Sequence, residues 1–226
     1  MLIISFIVIA IKDVANVQKK IIKRCIRKNF CTFAHYFHTY NMIIIGITGT
    51  LGAGKGTIVQ YLLDNKNFKH YSVRQFLIEE LQRRGTKVID RNAMTLLGNE
   101  LRAEHSPSYI TDCLYEQAKE NGQNAVIESI RTPGEVLSLR DKADFCLLAI
   151  DADRKIRYER ILQRNSETDH VSFEQFVAGE EREMHDADPN KQNISKCIEM
   201  ADFLLNNNGN REDLYKNVEK ILEKIL

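Results

Sequence analysis

Gly49-Thr50-Leu51-Gly52-Ala53-Gly54-Lys55-Gly56-Thr57 has the form G-x-x-x-x-G-K-G-T. It follows a short apolar, β-branched run, Met42–Thr48 (MIIIGIT), which reads as a buried parallel strand. It also opens a helical pattern that runs to about Asp64. Glycines let a backbone take positive φ and come close to an anion. Successive N–H groups then cradle a phosphate at the positive end of the helix. The lysine ammonium bridges two phosphates as a point charge. Strand, glycine-rich loop and helix in this order predict a site for the phosphates of a nucleoside triphosphate on residues 49–57.

From Met42 onward, strand and helix patterns alternate. His70–Ser72, Asn124–Glu128 (NAVIE), Asp144–Asp151 (DFCLLAID) and Ala201–Leu205 read as further strands. Val73–Arg84, Asn92–Glu104, Ser108–Glu120, Arg154–Arg164, Phe173–Met184 and Glu212–Ile225 read as helices. Ser108 is the expected N-cap of one, with Gly122 closing it, and Pro133 fits the first turn of another. Asp186–Asn193 reads as a polar loop, and its Asp188–Asn193 part suits a ligand contact. Strands alternating with helices predict a parallel sheet with right-handed crossovers. No repeat or low-complexity linker divides residues 42–226.

Bulk properties narrow the partners. The chain has 226 residues, a formal net charge of +1, 43% hydrophobic and 28% charged residues. That balance fits a soluble globular protein and gives no electrostatic reason to expect nucleic acid. Cys25, Cys31, Cys113, Cys146 and Cys197 form no Cys-x-x-Cys pair. Scattered, odd-numbered cysteines point to reduced thiols and a cytoplasmic protein.

Residues 1–41 differ from the rest. An apolar run, Leu2–Ile11, is broken only by Ser5, and Lys19, Lys20, Lys23, Arg24, Arg27 and Lys28 follow it. Ten residues fall short of the ~20 that span a bilayer, so stable membrane insertion is not expected. A signal peptide carries its basic residues before the apolar run. An interfacial basic helix stays open, and so does a true start at Met42, which is the favoured expectation. Cys25, Cys31, His35 and His38 match no common zinc spacing.

Two further groups point to chemistry. Glu128 ends a predicted core strand, in Ile127-Glu128-Ser129-Ile130-Arg131. Ligands of open α/β sheets bind beyond the carboxyl ends of their strands. An acid there can orient Mg²⁺ or its water; the alternative is an ordinary strand-end glutamate. Arg157, Arg160 and Arg164 share one helix face. Such arginines can stabilise a transferring phosphoryl group, or form a solvated face pairing with Asp153 and Glu159.

The loop's ending narrows the class. An ordinary P-loop has Ser or Thr directly after the lysine, whereas here Gly56 intervenes before Thr57. This G-K-G-T ending resembles the adenylate kinase group of nucleoside monophosphate kinases. Glu128-Ser129-Ile130-Arg131 resembles their Asp-Gly-x-Pro-Arg motif, with glutamate for aspartate, serine for glycine and no proline. His70-Tyr71-Ser72 and the following helix resemble their acceptor segment, although Ile78 stands where that family has its acceptor arginine. Glu100-Leu101-Arg102, Arg157-Tyr158-Glu159-Arg160, Phe173-Glu174-Gln175-Phe176, Glu180-Glu181-Arg182-Glu183 and Ala201-Asp202-Phe203 with Asn207-Asn208-Gly209 extend the likeness over about four-fifths of the chain. The whole resembles the adenylate-kinase-like P-loop proteins of archaea and bacteria, which also resemble dephospho-coenzyme A kinase.

The resemblance implies a P-loop NTPase fold. This is a three-layer αβα sandwich around a five-stranded parallel sheet in the order 2-3-1-4-5, with a helical lid over Arg154–Asp169. It implies ATP and Mg²⁺, with Lys55 on the phosphates, and Thr57 and Glu128 serving the metal through water. Arg160 and Arg164 would act on the transferring group. Asn207 and Gly209 would lie near the adenine. Arg74, Arg102 and Arg131 would grip the acceptor, expected to be a nucleoside monophosphate or a dephospho-coenzyme A-like nucleotide. Glu79, Glu80, Arg91 and His105 are further candidates on that side. A monomer or homodimer is expected. A nucleotide-dependent switch acting on a protein partner is the rival, and a polynucleotide end kinase is disfavoured by the lack of a basic surface.

Overall fold

The apolar run Ile43–Gly49 forms strand β1, buried along its whole length. Residues buried on both faces mark the centre of a parallel sheet. In this computed structural model, which describes residues 42–164 and 171–226, β1 pairs in parallel with two neighbours. One is β3 (Ala125–Glu128) and the other β4 (Asp144–Asp151). Strands β2 (Lys69–Ser72) and β5 (Phe203–Asn206) add at the two edges, also parallel. The resulting order, β2-β3-β1-β4-β5, is the order that the family resemblance implies.

Strand alternation sorts the core into two layers. Ile43, Ile45 and Ile47 pack with Val126, Leu148 and Ile150 against helix α1 (Lys55–Lys66) and the C-terminal helix, Arg211–Ile225. Ile44 faces the other way with Ile127 and Leu147. It packs under α2 (Val73–Arg83), α3 (Arg91–Glu104), α4 (Tyr109–Asn121) and α5 (Pro133–Lys142). Each fully buried Ile or Leu contributes roughly 1.5–3 kcal/mol relative to exposure.

Helices α6 (Arg154–Arg164) and α7 (Phe173–Met184) have the predicted bounds. The segment 165–170 that would complete the expected lid lies outside the described residues, as do the apolar run, basic stretch and Cys/His group of residues 1–41. A short helix, α8 (Ile194–Glu199), follows the polar loop and was not anticipated. The C-terminal helix is α9 (Arg211–Ile225). Among the described residues, no helix is long and apolar enough to cross a membrane.

Local signals explain the helix starts. Ser72, Asp90, Asn193 and Asn210 accept N-cap hydrogen bonds, and Thr132 and Ser172 form full capping boxes with Glu135 and Gln175. Ser108 takes the N-cap position as expected but does not cap with its side chain. Its hydroxyl donates to Asp112 Oδ2 at 2.9 Å instead.

Candidate active site

The loop between β1 and α1 is shaped by left-handed glycines. Gly54 has φ 106°, and a Cβ there would come within 2.4 Å of Asn207 Nδ2. Gly52 has φ 79°, and a Cβ would meet the Arg157 carbonyl oxygen at 2.5 Å. Both positions therefore need glycine for conformation and for close approach. The first N–H groups of α1 lack intrahelical partners by construction and give the loop its anion-binding character. Among the described residues, Leu51, Gly52, Gly54, Lys55, Gly56 and Thr57 line a cavity of about 800 Å³. Gly49, Thr50 and Ala53 form the loop's footing instead.

That footing has ties the sequence did not reveal. The Thr50 hydroxyl donates to Asp151 Oδ1 at 2.6 Å, at the end of β4. The Asn207 amide donates to the Ala53 carbonyl at 2.8 Å, and its own N–H donates to the Asp151 carbonyl. Arg157 donates to the carbonyls of Leu51 and Ala152 and sits 2.5 Å from Glu180 on α7. Arg157 is buried, so it braces the loop. This corrects the expectation that it joins Arg160 and Arg164 on a phosphate-facing surface: spacing gives a shared face, but packing turned Arg157 inward.

Lys55 Nζ donates to the carbonyls of Gly49 and Thr50 at 2.8 and 2.7 Å. Burial, with help from the Arg131 charge, pushes its pKa down to about 7, against the opposing pull of Glu128 and Glu183. A phosphate brought to this ammonium would restore its charge.

Glu128 ends β3 in register with Ile47 of β1 and Ser72 of β2, and it lines the cavity. Its Oε1 accepts from the Ser72 hydroxyl at 3.0 Å and lies 3.4 Å from His70 Nε2. Burial acts to raise its pKa, but the His70 and Ser72 hydrogen bonds and the Lys55 and His70 charges outweigh it, and the net shift is downward. Its Oε2 has no protein hydrogen bond among the described residues. Ser129 follows at φ 66°, in the left-handed region that its glycine counterpart in the resembling motif would occupy freely. The Ile130 N–H bonds to the Ile47 carbonyl, and the Thr48 hydroxyl to the Ile130 carbonyl. This pinned turn sends Arg131 to the cavity.

The arginines expected on the acceptor side divide into three kinds. Arg131 donates from Nη1 to Glu183 Oε2 at 2.8 Å and to Gln192 Oε1 at 2.6 Å. Arg91 reaches the other oxygen of Glu183, at 2.6 Å. Burial would raise the Glu183 pKa, yet the two arginines hold it below the usual carboxylate range. Arg102 borders the same cavity but is only 2% exposed, and its Nε and Nη2 bond Glu135 Oε1. Glu135 Oε2 in turn accepts the N–H groups of Arg131 and Thr132. Arg102 thus positions the Arg131 backbone through Glu135, where direct grip of the acceptor was expected. Arg74 is exposed at the cavity wall, with no hydrogen bond or ion pair among the described residues.

On α6, Arg160 donates to the carbonyls of Asn207 and Gly209 at 2.8 and 3.3 Å, so it is tied to the β5–α9 turn. Arg160, Arg164, Asn207, Gly209 and the unanticipated Arg211 all line the cavity. Thr132-Pro133-Gly134-Glu135 carried a readable capping-box signature that could have flagged Glu135. Glu183 and Gln192 carried no such signal. Among the described residues, no group of three His, Cys, Asp or Glu side chains could hold a metal alone.

Residues 45–188 match the model of the AAA domain family. A UPF0200 protein of Methanococcus maripaludis is 30% identical over 191 residues, which span 82% of this chain and 98% of that protein. The chain belongs to the UPF0200 family, with an AAA domain. A UPF0200 protein of Methanothermobacter thermautotrophicus is 28% identical over 187 residues, 82% of this chain and 92% of its own. Among solved structures, TT1252 from Thermus thermophilus superposes with a TM-score of 0.57 at 21% identity, covering 82% of this chain and 98% of its own. A provisionally assigned kinase from Chloroflexus aurantiacus gives 0.53 at 20% identity, with the same coverage. At these identities the likeness is one of fold, the three-layer P-loop sandwich around a parallel sheet.

Proposed function

We propose that this UPF0200 chain is an ATP-dependent phosphotransferase that moves the γ-phosphoryl group to a small phosphate-bearing acceptor, a nucleoside or deoxynucleoside monophosphate or a dephospho-coenzyme A-like nucleotide. One observation carries the proposal. A single cavity of about 800 Å³ is lined at once by the phosphate loop with Lys55, by Glu128, and by Arg91 and Arg131 on the far wall. Phosphoryl transfer asks little covalent chemistry of the protein; it asks for positioning and charge stabilisation in one water-poor space. An ATPase acting on a distant partner needs the first wall but not the second.

Lys55 and the loop amides would hold the β- and γ-phosphates of the donor. The Asn207–Gly209 turn, braced by Arg160, borders the donor side of the cavity. Arg164, with Arg160, would face the charge that develops on the transferring group. Arg131 would hold the acceptor phosphate for in-line attack. The oxygen donors of Glu128 and Thr57 suit Mg²⁺, a hard cation that keeps several waters. Bound there, the ion would neutralise charge on the donor phosphates. Glu128 itself is held in place by Ser72 and His70.

The test is ATP consumption by the full chain against a panel of nucleoside and deoxynucleoside monophosphates and dephospho-coenzyme A, with Lys55→Ala as control. One acceptor should raise turnover strongly, and only with Lys55 present. ATP binding without acceptor-stimulated turnover on the panel would favour the nucleotide switch acting on a protein.

A further inference from the structure

The two guanidiniums that meet Glu183 come from separate elements. Arg91 opens α3, Arg131 follows β3, and Glu183 is the next-to-last residue of α7. Each carboxylate oxygen takes one guanidinium, at 2.6 and 2.8 Å. A phosphate bridging two arginines uses the same pattern of charge-assisted hydrogen bonds. We infer that Arg91 and Arg131 form a second anion site beside the phosphate loop, which takes the acceptor's phosphate, and that Glu183 is its displaceable internal occupant.

Three observations support this assignment. The trio lines the main cavity, and Arg91 and Glu183 also border an adjoining one of about 480 Å³, so the site lies where an acceptor would extend away from the donor. Its charge is unbalanced: two arginines face one glutamate, because Arg102 is already matched to buried Glu135. A phosphate dianion in place of the Glu183 carboxylate would balance it. The arginine side is also better anchored than the glutamate side. The Arg131 N–H is held by Glu135 and its carbonyl accepts from Asn193. Glu183 stands at the end of its helix, so releasing it asks for movement of the last turn only. Gln192 would stay as the neutral partner of Arg131. Glu183 would therefore keep the two arginines oriented and would compete with weak anions such as free phosphate.

The inference rests on the phosphotransferase proposal only for the name of the anion, and its test needs no turnover. Inorganic phosphate is the probe, titrated calorimetrically at fixed ionic strength into the full chain. All variants carry Lys55→Ala, which mutes the phosphate loop. Glu183→Gln should tighten phosphate binding by roughly tenfold or more. Adding Arg91→Gln should abolish that gain. A simple tether between α3 and α7 predicts unchanged or weaker binding in Glu183→Gln, and that result overturns the inference. So does a gain that survives Arg91→Gln. Should Glu183→Gln fail to fold, Arg91→Gln alone decides: it must weaken phosphate binding several-fold, and unchanged binding overturns the assignment. An inactive acceptor panel alongside a positive result here would defeat the kinase proposal and leave the anion site standing.

Discussion

The two walls of the cavity are built by different means. The proposed donor wall is mainly backbone: a contiguous loop, residues 49–57, six of them lining the cavity, fixed by left-handed glycines and footed on Asp151, Asn207 and Arg157. The acceptor wall is side chain. Arg91, Arg131, Glu183, Gln192 and the buried Arg102–Glu135 pair come from segments scattered over about a hundred residues of sequence. A backbone cradle binds what every nucleoside triphosphate shares. A wall of paired side chains can be re-cut to suit one acceptor. Under the proposed function the contrast assigns specificity to the side-chain wall, and it can be broken at several points.

The largest effect belongs to the donor wall. Lys55→Ala should lower kcat/KM for transfer by about a thousandfold or more, since it removes the loop cation proposed to bridge the β- and γ-phosphates. Steady-state kinetics with the preferred acceptor checks this, and a loss of less than tenfold would undo the role given to Lys55.

On the acceptor wall, the strongest effect should be on stability. Arg102→Ala leaves Glu135 buried and uncompensated and should cost about 3–5 kcal/mol of unfolding free energy. Denaturant titration reads it. Replacing the pair together with Met and Leu should recover most of that loss, which separates a positioning pair from a substrate contact. If Arg102 instead touches acceptor, Arg102→Ala will raise KM with little change in stability.

A third comparison lies within the loop itself. Gly54→Ala forces a Cβ onto Asn207 at positive φ, at a cost of about 1–3 kcal/mol, and should cripple nucleotide binding. Gly56→Ala meets nothing within 4 Å and should stay within about 1 kcal/mol of the parent. Thermal unfolding with and without ATP distinguishes them. Equal damage at both positions would mean that Gly56 serves the ligand directly.

The smallest effect is a proton. Lys55 has its pKa lowered to about 7 in the free protein. Below pH 6 it is already charged, and binding phosphates needs no proton. Above pH 7 it is mostly neutral, and a bound phosphate raises its pKa again. Nucleotide binding near pH 8 should therefore take up about one proton, an uptake that vanishes in Lys55→Ala. Calorimetry in buffers of different ionisation enthalpy measures it.

The same contrast explains what was legible in the sequence. Strand β4 and helices α6 and α7 followed from periodicity, because long apolar runs such as DFCLLAID leave few choices, whereas the strand order followed only from the family resemblance. Edge strand β2 gave a weak signal because Lys69 and His70 are exposed. Helix α8 was missed because its six residues sit inside a polar stretch, with only Ile194 and Cys197 buried. The donor loop was legible because its chemistry is contiguous. The side-chain wall was not: Arg131 and Arg102 looked alike as arginines, and only packing ties one to Glu183 and Gln192 and the other to buried Glu135. Arg157 shows the same limit, since helical spacing groups side chains on a face without saying which face is buried.

The most direct test of the two-walled cavity is to follow the γ-phosphoryl group itself. ATP labelled at that position would be incubated with the full chain, Mg²⁺ and a pool of nucleoside monophosphates and dephospho-coenzyme A, and the products separated. The label should appear in an organic phosphate drawn from that pool, and Lys55→Ala should abolish its transfer. Label found only in inorganic phosphate, at a rate indifferent to the pool, would contradict the account.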